Sequence, residues 1–152
     1  MNSEPKNCIE VLLVEDNPAD VLLMEEALHD TGCCNNRLHV VNDGEEAMAF
    51  LRRQGSYVAA PRPDLVMLDL NLPKKDGREV LKEIKEDPGL MHIPVIIIST
   101  SQSEEEILNS YRLHANCFIS KPVDLNSFFT IIQAINGFWF SVASLPRPAW
   151  QD

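Results

Sequence analysis

Short apolar runs alternate with helix-patterned segments along most of this chain, and this alternation is the feature that most constrains its fold. Neither Leu65–Leu68 nor the predicted strand 93–98 contains a polar side chain. Strands of this kind are buried on both faces, which is typical of parallel sheets. Further predicted strands lie at 9–14, 37–41 and 116–119, and the strand containing Leu65–Leu68 covers 64–68. Five β-α units in succession predict an α/β fold with one doubly wound parallel sheet.

The predicted helices have recognisable start signals. Asn17 followed by Pro18 suits a cap and a first helical position. Ser103 with Glu106 matches a capping box, and Asp124 suits the cap of the fifth helix. This last helix is predicted to run through residue 135 and to end at Asn136-Gly137.

Composition narrows the class of protein. The 152 residues suit a single domain, and 45% of them are hydrophobic, which is enough for a core. No stretch has the roughly 20 apolar residues of a membrane span, and the N-terminus lacks the apolar core of a secretory signal. The net charge of -10 and the lack of a Lys/Arg cluster argue against direct nucleic-acid binding.

The cysteines do not suggest a metal or redox site. Cys8, Cys33, Cys34 and Cys117 form no C-x-x-C pair, so neither a zinc ribbon nor a thioredoxin motif is indicated. Reduced thiols together with the lack of an export signal lead us to expect a cytoplasmic protein.

Polar residues follow four of the predicted strands, at the point where each strand ends. Glu15 and Asp16 follow the first, Asp69 the third, Ser99 the fourth and Lys121 the fifth. Because the carboxyl ends of parallel strands meet at one edge of the sheet, these side chains are expected to converge.

The residue types indicate a chemistry. Clustered carboxylates repel one another and favour a hard cation such as Mg²⁺. A lysine and a hydroxyl nearby suit an anionic group such as phosphoryl, and an aspartate can act as a nucleophile toward phosphorus. Each residue alone has a simpler interpretation: Glu15 or Asp16 as a helix cap, Ser99 as a turn residue and Lys121 as a solvated loop residue. Asp69 fits such an interpretation less well, because the next helix starts only after Asp76-Gly77.

Taken together, these residues resemble those of the response-regulator receiver domain of two-component signalling. The resemblance covers roughly residues 8–135. It rests on Val14-Glu15-Asp16-Asn17, Leu68-Asp69-Leu70-Asn71-Leu72-Pro73, Asp76-Gly77, Pro94-Val95 through Ser99-Thr100, and Phe118-Ile119-Ser120-Lys121-Pro122. It implies a flavodoxin-like (βα)5 fold with strand order 2-1-3-4-5. It also implies that a sensor histidine kinase transfers a phosphoryl group to Asp69.

The resemblance further assigns roles at the site. Asp16, Asp69 and the backbone carbonyl of Asn71 would bind Mg²⁺, with Glu15 assisting. Lys121 would pair with the phosphoryl oxygens, and its bond to Pro122 would be cis.

The resemblance also implies a switch. Ser99 would hydrogen-bond a phosphoryl oxygen, and the ring of Phe118 would turn inward, changing the face formed by the fourth helix, fifth strand and fifth helix. Ordinary core packing is the alternative interpretation of Phe118. Thr100 departs from the small residue that the family usually has, and a bulkier side chain there would narrow access to Asp69.

The domain organisation follows from the same comparison. We expect an N-terminal tail at 1–7, a receiver domain at 8–136 and a C-terminal extension at 137–152. About fifteen residues follow the fifth helix, too few for an output domain, so output is expected through a partner, through self-association or back to the kinase. The motifs most resemble the single-domain regulators paired with cyanobacterial phytochromes.

The aromatic tail suggests self-association. Phe138-Trp139-Phe140 follows the fifth helix directly, and Trp150 lies near the end of the chain. Aromatic residues often anchor interfaces, so one hypothesis is a homodimer through the fifth helix and tail. The alternative is that the tail folds back over its own domain.

Two other functions compete with the phosphoacceptor. An aspartate-nucleophile phosphatase would have a second acid at the position of Asn71, where an amide cannot act as general acid or base. A receiver-like module that binds its partner without phosphorylation is the other alternative. Apart from Mg²⁺-dependent self-phosphorylation and self-dephosphorylation, no enzymatic activity is expected.

Overall fold

The computed structural model describes residues 9–29 and 36–146, and its centre is a five-stranded parallel sheet. The strand order is β2-β1-β3-β4-β5. The strands are β1 (Ile9–Val14), β2 (Asn36–Val41), β3 (Leu65–Leu68), β4 (Val95–Ser99) and β5 (Cys117–Ser120). The predicted doubly wound sheet and the strand order that the resemblance implied are both confirmed.

Each strand is followed by a helix. The helices are α1 (Pro18–His29), α2 (Gly44–Arg52), α3 (Gly77–Glu86), α4 (Glu104–Arg112) and α5 (Leu125–Gly137). Two predicted caps form: Asn17 Oδ1 accepts the Ala19 N–H at 2.9 Å, and Asp124 Oδ2 accepts the Ser127 N–H at 2.9 Å. Local sequence therefore determines where these helices begin.

The capping box of α4 is only half formed. The Glu106 N–H donates to Ser103 Oγ at 3.3 Å, as predicted. The Ser103 N–H, however, donates to Ser101 Oγ at 3.1 Å, while the Glu106 carboxylate accepts from the Arg78 guanidinium. Glu106 therefore links α4 to α3 instead of closing its own cap.

The hydrophobic core has two layers, one on each face of the sheet. Leu12 and Val14 pack with α2 and α3, whereas Val11 and Leu13 pack with α1 and α5. β3 divides its side chains between the two layers in the same way, and all four of its residues are buried. The apolar runs thus reflect strands covered on both faces.

Several strand and helix boundaries differ from the predicted ones. β3 begins at Leu65 and β4 covers Val95–Ser99, each within two residues of the prediction. The α-helix α5 ends at Gly137, within two residues of the prediction, but Gly137 is not a left-handed cap: it keeps right-handed helical angles, and a π-helical segment, Phe138–Val142, follows directly. The tail predictions at 1–7 and Trp150, and those for Cys8, Cys33 and Cys34, fall outside the described residues.

Within residues 9–29 and 36–146, no helix has the length and apolar content needed to cross a membrane.

Candidate functional site

Three of the predicted site residues lie level with one another at one edge of the sheet. Glu15, Asp69 and Lys121 are the first residues after β1, β3 and β5. Each continues the parallel ladder by one step, because its backbone N–H donates to a carbonyl of the neighbouring strand, at 3.0, 3.1 and 2.6 Å respectively. The backbone of the sheet thus fixes the relative height of the three side chains.

The ammonium of Lys121 lies among carboxylates. Its Nζ donates to Glu15 Oε1 at 2.8 Å, to Asp20 Oδ2 at 2.9 Å and to Asp69 Oδ2 at 3.2 Å. Lys121, Glu15 and Asp69 are all buried, with 9%, 2% and 7% of their surface exposed. An ammonium has three N–H donors, and all three are used here.

Glu15, Asp16 and Asp69 form a cluster suited to a divalent cation. Each offers one carboxylate oxygen, and these three oxygens lie within 4.8 Å of one another. Oxygen-only ligands favour a hard cation such as Mg²⁺ or Mn²⁺. The donor set therefore fits the predicted magnesium site.

The electrostatics of the site favour a bound cation. Burial, and to a lesser extent the negative charge of Asp69, raises the pKa of Glu15 from its usual value of 4.5 to about 7, despite the hydrogen bond from Lys121. Burial alone would lower the pKa of Lys121, but its hydrogen bonds to Glu15 and Asp20 and the charge of Asp69 raise it instead. The carboxylates outnumber the ammonium, so a cation would relieve their repulsion.

Ser99 and Asn71 border this cluster. Ser99 is fully buried at the end of β4, its carbonyl accepts the Lys121 N–H, and its hydroxyl accepts the Ser101 N–H at 3.1 Å. The Asn71 N–H donates to Asp69 Oδ1 at 2.9 Å, whereas Lys121 contacts Asp69 Oδ2, so each oxygen of this carboxylate has its own hydrogen bond. The roles of the Ser99 hydroxyl and the Asn71 carbonyl toward a phosphoryl group and a cation stay predictions.

Phe118 lies on β5, outside the carboxylate cluster. Its ring is partly buried against the core layer that contains α2 and α3, and its N–H donates to the Tyr111 hydroxyl at 3.1 Å. Thr100 is exposed. The partial burial of Phe118 leaves both interpretations of its ring open.

The expected cis bond before Pro122 is wrong, because no peptide bond in the described part of the chain is cis. Trans is the isomer that X–Pro bonds ordinarily favour. Lys121 makes all three of its carboxylate contacts with this trans bond in place.

Asp20 was missed by sequence reasoning. It lies in the first turn of α1, three residues after the cap Asn17. An acid in the first helical turn is ordinary, because it complements the helix dipole. The available signal was its position one turn beyond Glu15 and Asp16, which directs its side chain back toward the same sheet edge.

The connection between β3 and α3 holds the backbone around Asp69 tightly. The Gly77 N–H donates to the Leu70 carbonyl at 3.0 Å. A Cβ at position 77 would lie 2.3 Å from the Asp69 carbonyl oxygen and 2.6 Å from Leu70 Cα. Only glycine permits this close approach, so Gly77 helps to set the position of Asp69.

Comparison with known proteins identifies the family of this chain. Residues 11–133 match the family model described as the response regulator receiver domain. The chain belongs to this family. The match therefore confirms the resemblance, and it assigns the chain to signalling domains rather than to the aspartate-nucleophile phosphatases.

Three relatives are informative. The chain is 48% identical over 136 residues to response regulator Rcp1 of Synechocystis sp., covering 90% of this chain and 92% of that protein. The Mn²⁺-bound crystal structure of Rcp1 superposes with a TM-score of 0.88 at 47% identity, covering 91% of this chain and 99% of that one. The phosphorylated cyanobacterial phytochrome response regulator RcpA gives a TM-score of 0.88 at 52% identity, covering 92% and 99%.

A more distant relative has magnesium in its active-site cleft. It is the receiver domain of sensor histidine kinase PA1611 from Pseudomonas aeruginosa, with a TM-score of 0.65 at 28% identity, covering 86% of this chain and 98% of that one.

Proposed function

We propose that this chain is the phosphoacceptor of a two-component pathway and that Asp69 receives the phosphoryl group from a histidine of a sensor kinase. The observation that carries this proposal is the Lys121 ammonium 3.2 Å from Asp69 Oδ2, beside a cluster of acids able to hold a divalent cation. A buried nucleophilic carboxylate flanked by positive charge is what transfer of an anionic phosphoryl group requires.

In the proposed reaction, a carboxylate oxygen of Asp69 forms a bond to phosphorus while the P–N bond of phosphohistidine breaks. The electron pair of that bond returns to the imidazole ring of the kinase. Mg²⁺, held by Asp16, Asp69 and the carbonyl of Asn71 with Glu15 assisting, would supply positive charge against the phosphoryl oxygens. Lys121 donates an N–H to one of these oxygens, and the Asn71 N–H keeps the carboxylate oriented.

The same site would act as a switch. A phosphoryl group adds about -1.5 to -2 charges and new acceptor oxygens next to Ser99. Ser99 would donate its O–H to one of them, and the Ser99 oxygen, which accepts the Ser101 N–H, would move with it. Because Ser101 begins the segment leading to α4, and Phe118 bonds to Tyr111 at the end of α4, both contacts connect the site to that helix.

The test is the intact mass of the protein after incubation with Mg²⁺ and acetyl phosphate, with Asp69→Asn as the matched variant. We expect one added phosphoryl group in the wild type and none in the variant or in the presence of EDTA. The group should then leave slowly without any other protein, which is the self-dephosphorylation expected of this site. A folded wild-type protein that gains no phosphoryl group would instead favour the phosphorylation-independent binding module.

We further propose that the partner kinase is a phytochrome and that the protein is cytoplasmic. The similarity to Rcp1 and to the phytochrome response regulator RcpA supports the first point. Transfer from a phosphorylated phytochrome kinase should be much faster than transfer from an unrelated histidine kinase. Equal rates from both kinases would contradict this pairing.

We also propose that the protein forms a homodimer through α5 and the segment after it. Among the side chains whose burial the structure describes, nine large apolar ones are exposed, and six of these lie on or next to α4 and α5. They are Leu108, Tyr111, Val123, Leu125, Phe138 and Val142. Trp139, in contrast, packs against the protein's own core, so the alternative of a tail that folds back applies to part of this segment.

The dimer is tested by light scattering, before and after phosphorylation. We expect the double variant Leu125→Glu, Phe138→Glu to have the mass of a monomer while the wild type has that of a dimer. Val58→Glu is the control, because Val58 is 68% exposed on a loop after α2, away from α5. A monomeric wild type in both states would overturn the proposal.

A further inference from the structure

Asp20 differs from the other carboxylates around Lys121. Glu15 and Asp69 follow strands and belong to the cluster that suits a cation, whereas Asp20 belongs to α1 and lies outside that cluster. Its side chain is 21% exposed and accepts from Lys121 Nζ at 2.9 Å, a shorter distance than the 3.2 Å between that nitrogen and Asp69.

The Lys121 ammonium has no N–H left for a further acceptor. Its donors are directed at Glu15, Asp20 and Asp69. A phosphoryl group on Asp69 could take over the N–H that now faces Asp69 Oδ2, but a second N–H could come only from Glu15 or Asp20. Glu15 is nearly inaccessible, since 2% of its surface is exposed, and its second oxygen accepts the Asn17 N–H at 3.2 Å. Asp20 is the more exposed of the two competitors, so water can replace its bond to Lys121 more easily.

We propose that Asp20 is a positioning residue that holds the ammonium of Lys121 toward α1 in the resting protein and so limits how readily Lys121 engages a phosphoryl group on Asp69. This inference rests on the proposed function and adds to it a residue that sets the rate. Asp20 acts only through Lys121 and does not itself touch the phosphoryl group.

Removing the Asp20 charge has two effects on phosphorylation, and both should increase its rate. It releases one N–H of Lys121 for the phosphoryl oxygens, and it lowers the negative charge that an incoming phosphodonor meets. The effect on Mg²⁺ binding is opposite, because the site loses a negative charge and Lys121 turns toward Asp69.

The experiment compares wild type, Asp20→Asn, Asp20→Glu and Glu26→Gln. Glu26→Gln is the matched control, since it removes one negative charge from an exposed position of the same helix. Intact mass gives the rate of phosphorylation by acetyl phosphate at saturating Mg²⁺, in which the donor's acyl-phosphate P–O bond breaks as the bond to Asp69 forms. Calorimetry gives the Mg²⁺ affinity of each protein without phosphodonor.

We expect Asp20→Asn to be phosphorylated about three to ten times faster, the range that corresponds to one net hydrogen bond, and to bind Mg²⁺ more weakly. Asp20→Glu keeps the charge, so its phosphorylation rate and Mg²⁺ affinity should be closer to those of the wild type than the values of Asp20→Asn. Glu26→Gln should have the same rate and affinity as the wild type. A purely structural role would lower rate and affinity together.

Two outcomes would overturn the inference while leaving the proposed function intact. One is an Asp20→Asn protein phosphorylated at the wild-type rate or more slowly, and the other is an equal increase in Glu26→Gln. A wild-type protein that accepts no phosphoryl group would refute the proposed function and, with it, this inference.

Discussion

Replacing Gly77 with alanine tests whether the close approach of α3 to β3 holds the backbone around Asp69. The added Cβ would lie 2.3 Å from the Asp69 carbonyl oxygen, 2.6 Å from Leu70 Cα and 2.9 Å from the Leu70 carbonyl oxygen. All three neighbours are backbone atoms, so no change of rotamer relieves the overlap. The first turn of α3 must move away from the end of β3 by about 1 Å to restore normal contact.

The size of the effect follows from two opposing contributions. Overpacking a tight site destabilises by about 1 to 3 kcal/mol, and the upper end applies here because Leu70 and the Asp69 backbone are buried. Alanine is a better helix former than glycine by about 1 kcal/mol, which offsets part of this loss. We therefore expect Gly77→Ala to lower the free energy of unfolding by about 2 kcal/mol.

Urea denaturation followed by circular dichroism measures this difference, and Gly137→Ala is the control. Gly137 has helical angles, and apart from its chain neighbours and the backbone of its own helix no described heavy atom lies within 4 Å of an added Cβ, so the control should gain up to about 1 kcal/mol. Gly77→Ala should also bind Mg²⁺ more weakly, because Asp69 is displaced. A Gly77→Ala protein as stable as the wild type, with unchanged Mg²⁺ affinity, would refute the reasoning.

Three further predictions concern pH, helix attachment and the core. Because the pKa of Glu15 is raised from 4.5 to about 7, the folded chain keeps a proton that the unfolded chain has already released. The Glu15 carboxyl should therefore make the metal-free protein less stable as pH rises from about 4.5 to about 7. Mg²⁺ should raise the melting temperature more at pH 8 than at pH 5.5, because the ionised carboxylate binds the cation better. An equal rise in melting temperature at both pH values would contradict this prediction. Glu106→Gln weakens the salt bridge to Arg78, and because both side chains are about one-third exposed, it should lower the free energy of unfolding by about 1 kcal/mol or less. Amide hydrogen exchange in α4 should become faster. Unchanged exchange would show that this bridge does not hold α4 in place. Leu81→Ala removes a fully buried side chain and should lower the free energy of unfolding in urea by about 2 to 5 kcal/mol, so a loss below 1 kcal/mol would contradict the packing of that layer.

The sheet could be predicted from its apolar strands, and most of the candidate site could be predicted from the residues that follow those strands. In a parallel sheet the backbone hydrogen bonds hold the carboxyl ends of neighbouring strands at the same edge. The sequence positions of Glu15, Asp69 and Lys121, each directly after a strand, therefore sufficed to predict that they lie close together. The sequence places Asp20 one turn beyond Glu15 and Asp16, but it does not give the contact with Lys121, because that contact depends on how α1 lies against β5. Only the packing of the core between α1, α5 and the sheet determines that distance.

The end of α5 illustrates how packing overrides a local signal. Asn136-Gly137 is a typical helix end. In the structure, however, Asn136 is fully buried and its Nδ2 donates to the Leu28 carbonyl of α1 at 3.1 Å. Trp139 packs on the same core layer, so the chain stays helical past Gly137. These contacts join residues far apart in sequence, and no local pattern reveals them.

The most direct test of the central claim identifies the phosphorylated residue chemically. Borohydride reduces an acyl phosphate of aspartate to homoserine, and peptide mass spectrometry then locates the altered residue after treatment with Mg²⁺ and acetyl phosphate. We predict homoserine at position 69 and at no other acidic position. Homoserine at Asp16, or the 5-hydroxynorvaline that reduction of a glutamyl phosphate would leave at Glu15, would contradict the assignment of Asp69 as the phosphoacceptor, as would an unmodified Asp69 in a protein that has gained a phosphoryl group.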